Sequence, residues 1–351
     1  MHNAVKQLKK FAGVLQKRGD FDESAKVYND ALMVRQGRVD EKCHEEVLDI
    51  LNCLADVYRH NGEIASALQC VNNLQHMCVD NEEAKDTIFK NMLKRSELLV
   101  MTEDYTSAMA DATSALEMAN SEEFEYNERL LRRAAATEQV ARILEARKHL
   151  HDAVIWHKRC QSIRSLVLSE THKLALKSTR QIANIYCKEG EHDIAKEMYK
   201  EMRDKLVEKH GVEHSSMADL LDDLGCVYAE LKDISGAIKC HKKALQIRIK
   251  CHAAASTPAS TTSSSSDIAV TLEKLARLYL KTNRSQGMYY FSETLTALRQ
   301  SHFCPRHPAV IRTIHEMTTY KHDEDELEST SVFLQLSKWN GIGSGVCEDL
   351  S

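Results

Sequence analysis

Helix breakers are scarce in this chain of 351 residues, which has only three prolines, Pro258, Pro305 and Pro308, and 12 glycines. Proline interrupts a helix and interior glycine weakens one, so their scarcity leaves room for long helices. Aromatic residues are few as well, at 6%, which excludes a core built on large rings and suits thin interfaces lined by Ala and Leu. No run approaches the roughly 18 consecutive apolar residues of a membrane span, so no spanning helix and no membrane partner are expected. Met1 to Asp20 carries five Lys/Arg and lacks the apolar stretch of a secretory leader, so it is not read as a signal peptide.

Nor is there an excess of positive charge. The net charge is −5 and the pI near 6.4, so no global basic field exists to hold a polyanion, and nucleic acid is not an expected partner. The 11 cysteines stand singly, with no C-x-x-C pair. This excludes a disulfide framework and points to free thiols in a reducing compartment, hence to a cytoplasmic protein. Phosphate-binding glycine loops, H-E-x-x-H and G-x-S-x-G are all missing, so neither an enzyme nor a cofactor is expected. His302, Cys304 and His307 lie in a Pro-containing loop without a second ligand pair, and read as residues beside a helix start rather than as a zinc site.

What the chain has is a small residue recurring about every 42 residues: Ala12, Ala55, Ser96, Ala141, Ala183, Gly225 and Ala276. A large fixed period means stacked copies of one unit. Within a unit, Ile182, Ala183 and Tyr186 share one helical face, Gly190 breaks the helix, and Ala195, Tyr199 and Met202 form a second stripe. Leu221, Leu224, Gly225 and Tyr228, followed by Ala237, His241 and Ala244, repeat the pattern, with Tyr186 and Tyr228 lying 42 residues apart. Turns are predicted near Gly19, Gly62, Glu103, Lys148, Gly190, Lys232 and Asn283. The second helix opens on a small residue at Ala67, Ala108, Ala153, Ala195 and Ala237, with Ser24 and Met288 in its place in the first and last units. Arg95 and Thr137 stand where apolar residues are expected. His157 and His241 fall on the apolar stripe of the second helix and are read as packed core histidines.

These residues resemble the tetratricopeptide repeat, in its long form of the kinesin-light-chain and nephrocystin-like type. Leu51-Asn-Cys-Leu-Ala-Asp-Val-Tyr58 and His307-Pro-Ala-Val310 carry that resemblance furthest. Asp222-Asp223 and Arg180-Gln181 stand where the family carries paired asparagines. The resemblance implies an all-α fold, a right-handed α-solenoid of about seven helix-turn-helix pairs plus a C-terminal capping helix. Repeats one to six are expected over 1–252 and a Ser/Thr/Ala-rich disordered loop over 253–267. Repeat seven with the capping helix follows over 268–322, and an acidic then apolar tail over 323–351.

The resemblance also implies that first helices line a concave groove. Its residues would be Lys9, Asn52, Asp56, Lys90, Lys94, Glu138, Arg142, Arg180, Asn184, Asp219, Asp222, Asp223, Glu273, Lys274 and Arg277. Lys9, Lys90 and Lys94 fall at the basic positions of a carboxylate clamp, but Gly13 and Cys53 replace its two asparagines. The expected function is noncatalytic: a scaffold or adaptor binding a protein or peptide ligand in the groove. Two alternatives are a self-inhibited sensor whose C-terminal tail fills the groove, and a kinesin-light-chain-like cargo adaptor. The oligomeric state is not fixed by the sequence.

Overall fold

In the structure, a computed structural model, residues 2–35, 41–78, 85–121, 124–254, 258–301, 303 and 307–319 are described. Among them are fifteen α-helices and no strand. Fourteen of the helices form seven antiparallel pairs. These are α1 (His2–Arg18) with α2 (Phe21–Arg35), α3 (Glu41–Asn61) with α4 (Ile64–Cys78), and α5 (Lys85–Met101) with α6 (Tyr105–Met118). Next come α7 (Tyr126–Ala146) with α8 (Leu150–Ser165) and α9 (Lys173–Lys188) with α10 (His192–His210). The last two are α11 (Ser215–Glu230) with α12 (Ile234–Ala254) and α13 (Pro258–Leu280) with α14 (Arg284–Gln300), followed by α15 (Pro308–Thr319). The chain divides into two compact units, Met1–Gln16 with Phe21–Met202, and Lys17–Asp20 with Arg203–Ser351.

The turns follow from backbone chemistry. Six of the seven predicted turn residues adopt a left-handed conformation, with φ between 62° and 85° at Gly19, Gly62, Glu103, Lys148, Gly190 and Lys232. One left-handed residue lets the next N–H reach back five residues and close the first helix. Asp104 N donates to Leu99 O at 3.0 Å and Asp233 N to Tyr228 O at 2.9 Å in this way. In two of these turns the side chain after the left-handed residue caps the second helix, whereas His149 makes no such bond. Asp104 Oδ1 accepts from Ser107 N at 3.1 Å, and Asp233 Oδ1 from Gly236 N at 2.9 Å.

The seventh turn differs. Its cap, Asn283, follows Ala276 by seven positions where Asp104 and Asp233 follow their small residues by eight; Asn283 keeps an extended φ of −151°, and its side chain caps α14 through Gln286 N at 3.2 Å. The missing residue shifts the register, so the buried small residue of α14 is Gly287 and not Met288. A Cβ on Gly287 would lie 2.8 Å from a methyl carbon of Leu280.

All seven small residues of the first helices are buried, as are their seven partners on the second helices. They set the spacing between helix axes, because one added carbon would force the pair apart. Two pairs use serine and satisfy its hydroxyl on the partner's backbone. Ser24 Oγ donates to Ala12 O at 2.9 Å, and Ser96 Oγ to Ala108 O at 2.8 Å. The larger neighbours supply most of the hydrophobic stabilisation, about 1.5–3 kcal/mol for each fully buried side chain such as Leu54, Leu98, Ile143 or Leu275.

The aromatic position of the second helix holds Tyr28, His157, Tyr199, His241 and Phe291, all buried. His157 and His241 are thus core residues. His241 Nδ1 lies 2.8 Å from Asp222 Oδ1, and its ring fills the space left by Gly225, whose added Cβ would stand 2.8 Å from two ring atoms. Arg95, at an expected apolar position, reaches Asp111 through Nε at 2.6 Å, and Thr137 is buried with its hydroxyl on Arg133 O.

The loop expected over 253–267 is largely helical: α12 runs to Ala254 and α13 starts at Pro258, with 255–257 outside the described residues. Proline suits a first helical position, where its missing N–H has no partner to lose, and Ala and Ser are tolerated behind it. The capping helix is present as α15, Pro308–Thr319. Residues 320–322, the tail over 323–351, His302 and Cys304 lie outside the described residues.

Candidate functional site

Most of the charges predicted to line a groove are engaged within the protein. In the first unit, Lys94 joins two predicted residues, donating to Asn52 Oδ1 at 2.7 Å and lying 2.8 Å from Asp56 Oδ1. Lys9 pairs with Asp49 and Lys90 with Asp86. Each of the three clamp lysines therefore meets a carboxylate or amide of its own. Asn184 is exposed and accepts from Tyr199 Oη at 2.7 Å, and Arg180 is half-buried.

The three acids predicted three residues before the small residue, Glu138, Asp222 and Glu273, are buried. Glu138 binds Arg164 Nη2 at 2.5 Å and Lys177 Nζ at 2.6 Å. Arg164 is buried too and donates to Ser178 Oγ at 2.6 Å and Leu174 O at 3.0 Å, tying α8 to α9. Two repeats on, Arg248 binds Asp222, reaches Asp219 at 2.8 Å and touches Thr271. Lys274 stands 4.0 Å from Asp222, and Asp223 is half-buried. Glu273 holds Arg277 and Arg312, and Arg277 continues to Glu316 with Nε–Oε2 at 2.8 Å.

At Asp222 and Glu138 the networks favour the ionised acid. Burial by itself would raise the Asp222 carboxyl, but the His241 hydrogen bond and the Arg248 and Lys274 charges outweigh it and hold the group below the usual carboxylate range. Burial likewise opposes Lys177 and Arg164 at Glu138, and the cations prevail there too. Such acids hold neighbouring helices together and leave few lone pairs for a ligand.

A different surface remains open. The first helices α5, α7 and α9 of three successive repeats enclose a cleft of about 360 Å³, lined by Glu97, Val100, Met101, Gln139, Arg142, Glu145, Ala146 and Lys188. Its apolar part is Val100, Met101 and Ala146, and Met101 is 51% exposed. Two ion pairs cross it between helices: Arg142 Nη2 to Glu97 Oε1 at 3.0 Å, and Lys188 to Glu145. Below Glu145 lies His157, with Nε2 3.9 Å from Oε2 and neither ring nitrogen hydrogen-bonded among the described residues. His157 and Lys188 together keep the Glu145 carboxyl below its ordinary range against the effect of burial.

Of the predicted residues, only Arg142 lines this cleft. The others lining it went unrecognised, although Arg142, Glu145 and Lys188 sit one, four and five residues after their small residues. Arg164 and Arg248 were also missed. Their signal is legible in hindsight: each follows its small residue by 23 positions, as Arg35 follows Ala12.

Stacked helix hairpins closing on small residues, with an open cleft on their first helices, define the class of helical-repeat scaffolds, which are generally surfaces for protein–protein contact. Residues 174–250, from α9 to α12, match the sequence family described as tetratricopeptide repeat, and the hairpins on either side of that stretch repeat its fold. No match is found among curated proteins. Among solved structures, RapI in its apo form is 12% identical, with a TM-score of 0.51 and 85% of this chain and 98% of that one covered. BtubC (BKLC) from P. vanneervenii is 14% identical, with a TM-score of 0.48 over 76% and 94% of the two chains. The TPR-like repeats of a Podosopora anserina protein named for kinesin light chain are 15% identical, with a TM-score of 0.45 over 60% and 95%. At these identities the likeness is one of fold. No helix among the described residues is long and apolar enough to cross a membrane.

Proposed function

We propose that this protein is a noncatalytic scaffold that holds a peptide or partner helix on its first helices, seated in the cleft of α5, α7 and α9. The observation that carries the reading is that three consecutive first helices build one recess of about 360 Å³ with an exposed methionine at its apolar side. Thioether side chains adapt to varied apolar partners, and the two charge pairs offer orientation to a bound chain. Because rigid helices carry every lining group, little order has to be gained on binding.

The test is selection of ligands from a displayed random-peptide library with the purified full chain, followed by binding to Met101→Asp and Arg142→Glu variants. The expected result is selected peptides with an apolar residue beside charge, whose affinity falls about tenfold or more in either variant. Peptides that bind both variants as well as the parent would overturn the assignment of the cleft.

A further inference from the structure

In five of the six later repeats, the residue just before the small residue is apolar and covered: Leu54, Val140, Ile182, Leu224 and Leu275 are 2% exposed or less, while the third has Arg95 there, bound to Asp111. The residue two positions after the small residue is covered as well, with Val57, Leu98, Ile143, Ile185, Val227 and Leu278 at 5% or less. In α1 the same two positions are Phe11 and Val14, and they are 55% and 42% exposed. The rest of α1 packs in the ordinary way, since Val5, Ala12 and Leu15 are buried. What differs is the neighbour. α3, α5, α7, α9 and α13 each meet the second helix that precedes them in the chain, and no helix precedes α1 among the described residues.

The charge on this face is equally distinctive. α1 contains no Asp or Glu. Its exposed Lys6 and Lys10 form no ion pair with a described residue, whereas most first-helix charges of later repeats are neutralised across helices. At 100° per residue, Lys6 and Lys10 share one edge of the exposed half, and Val14 and Phe11 follow around it.

We propose that this face of α1 is a seat for one more helix, an acidic amphipathic helix of a partner protein. Its apolar stripe covers Phe11 and Val14 as a preceding second helix covers their counterparts, and its carboxylates meet the lysine edge. The seat is separate from the cleft on α5, α7 and α9, and stands whether or not that cleft binds a peptide.

The probe is a synthetic peptide of Tyr105–Met118, the α6 sequence, which contains Asp111 and Glu117 and no basic residue. A hydrocarbon staple on its outer face keeps it helical, because so short a helix is marginal alone. Mixed with the full chain, it is expected to shift the amide signals around Phe11 and Val14. Its affinity should fall about tenfold or more in Phe11→Ser/Val14→Ser, fall similarly in Lys6→Glu/Lys10→Glu, and weaken as salt is raised. Met101→Asp should leave it unchanged. All substituted α1 side chains are exposed, and circular dichroism confirms that the variants keep their helix content. The proposal is overturned by signals that move elsewhere, or by α1 variants that bind as the parent does. It is overturned too by a dimer in sedimentation that Phe11→Ser/Val14→Ser dissolves, which makes a second copy the occupant. Binding of the chain to phosphatidylserine vesicles that depends on Phe11, without peptide binding, assigns the face to a lipid surface and likewise overturns it.

Discussion

Gly225→Ala is the substitution for which helix propensity and packing give opposite signs. Gly225 lies inside α11, where alanine is favoured over glycine by about 1 kcal/mol. The new Cβ, however, would stand 2.8 Å from Cε1 and Nε2 of His241. That ring is 2% exposed and held by Asp222 at 2.8 Å, so it has no free space to turn into. Relieving the overlap means shifting a packed ring, at about 1–3 kcal/mol, and stretching a buried bond to a charged acceptor, worth about 1.5–3 kcal/mol. Against the propensity gain, the net expectation is a loss of about 1.5–5 kcal/mol. Urea unfolding followed by circular dichroism measures it, with Gly225→Ala made both in the parent and in His241→Ala. Removing the ring removes the clash, so in that background the same substitution should stabilise the protein by up to about 1 kcal/mol. Stabilisation by Gly225→Ala in the parent, or equal effects in the two backgrounds, would refute the argument that the glycine exists to admit the histidine.

Three further outcomes are expected. Glu103, Lys148 and Lys232 hold φ near 62° without being glycine, so replacing any of them by glycine should stabilise the protein by up to about 1 kcal/mol, and Gly62→Ala should destabilise it by a similar amount in urea unfolding. Arg164→Ala leaves the buried Glu138 carboxylate with Lys177 alone, and should destabilise by about 3 kcal/mol, whereas Lys177→Ala, whose side chain is 49% exposed, should cost well under 1 kcal/mol. Stability should be full above the ordinary carboxylate range and fall as pH drops through it, because Asp222, Glu138 and Glu145 all have folded values below their ordinary ones. In Asp222→Asn that acid loss should shrink, as read from urea midpoints taken from neutral pH down to about pH 3.

The hairpins were legible in the sequence because their signals are local. A small residue, six intervening positions and a left-handed turn residue lie within one stretch of chain, and the backbone conformations at Gly62, Glu103 and Lys232 follow from them. The slip at Met288 has a local cause too. A beat counted forward from Ala276 assumes a constant distance from small residue to cap, and Asn283 follows Ala276 by one position fewer than Asp233 follows Gly225. The side-chain networks were less legible, since they join residues that only stacking brings together. Asp222 and Thr271 are 49 positions apart and share a hydrogen bond of 2.9 Å.

The ion pairs that engage part of the predicted groove have the same origin as the long period. In an antiparallel hairpin, the last turns of the second helix lie beside the first half of its partner, and a longer second helix puts more side chains there. Arg164 and Arg248 sit in that added length, and their guanidinium groups take up Glu138 and Asp222 from inside. The C-terminal half of each first helix, next to the turn, has no such neighbour. Arg142, Asn184 and Arg277, each one residue after the small residue, accordingly remain half-buried or exposed. A repeat lengthened at the end of its second helix therefore converts acids on the early half of its first helix into inter-repeat braces. The first-helix side chains left open lie toward the turns, which is where the cleft of α5, α7 and α9 lies.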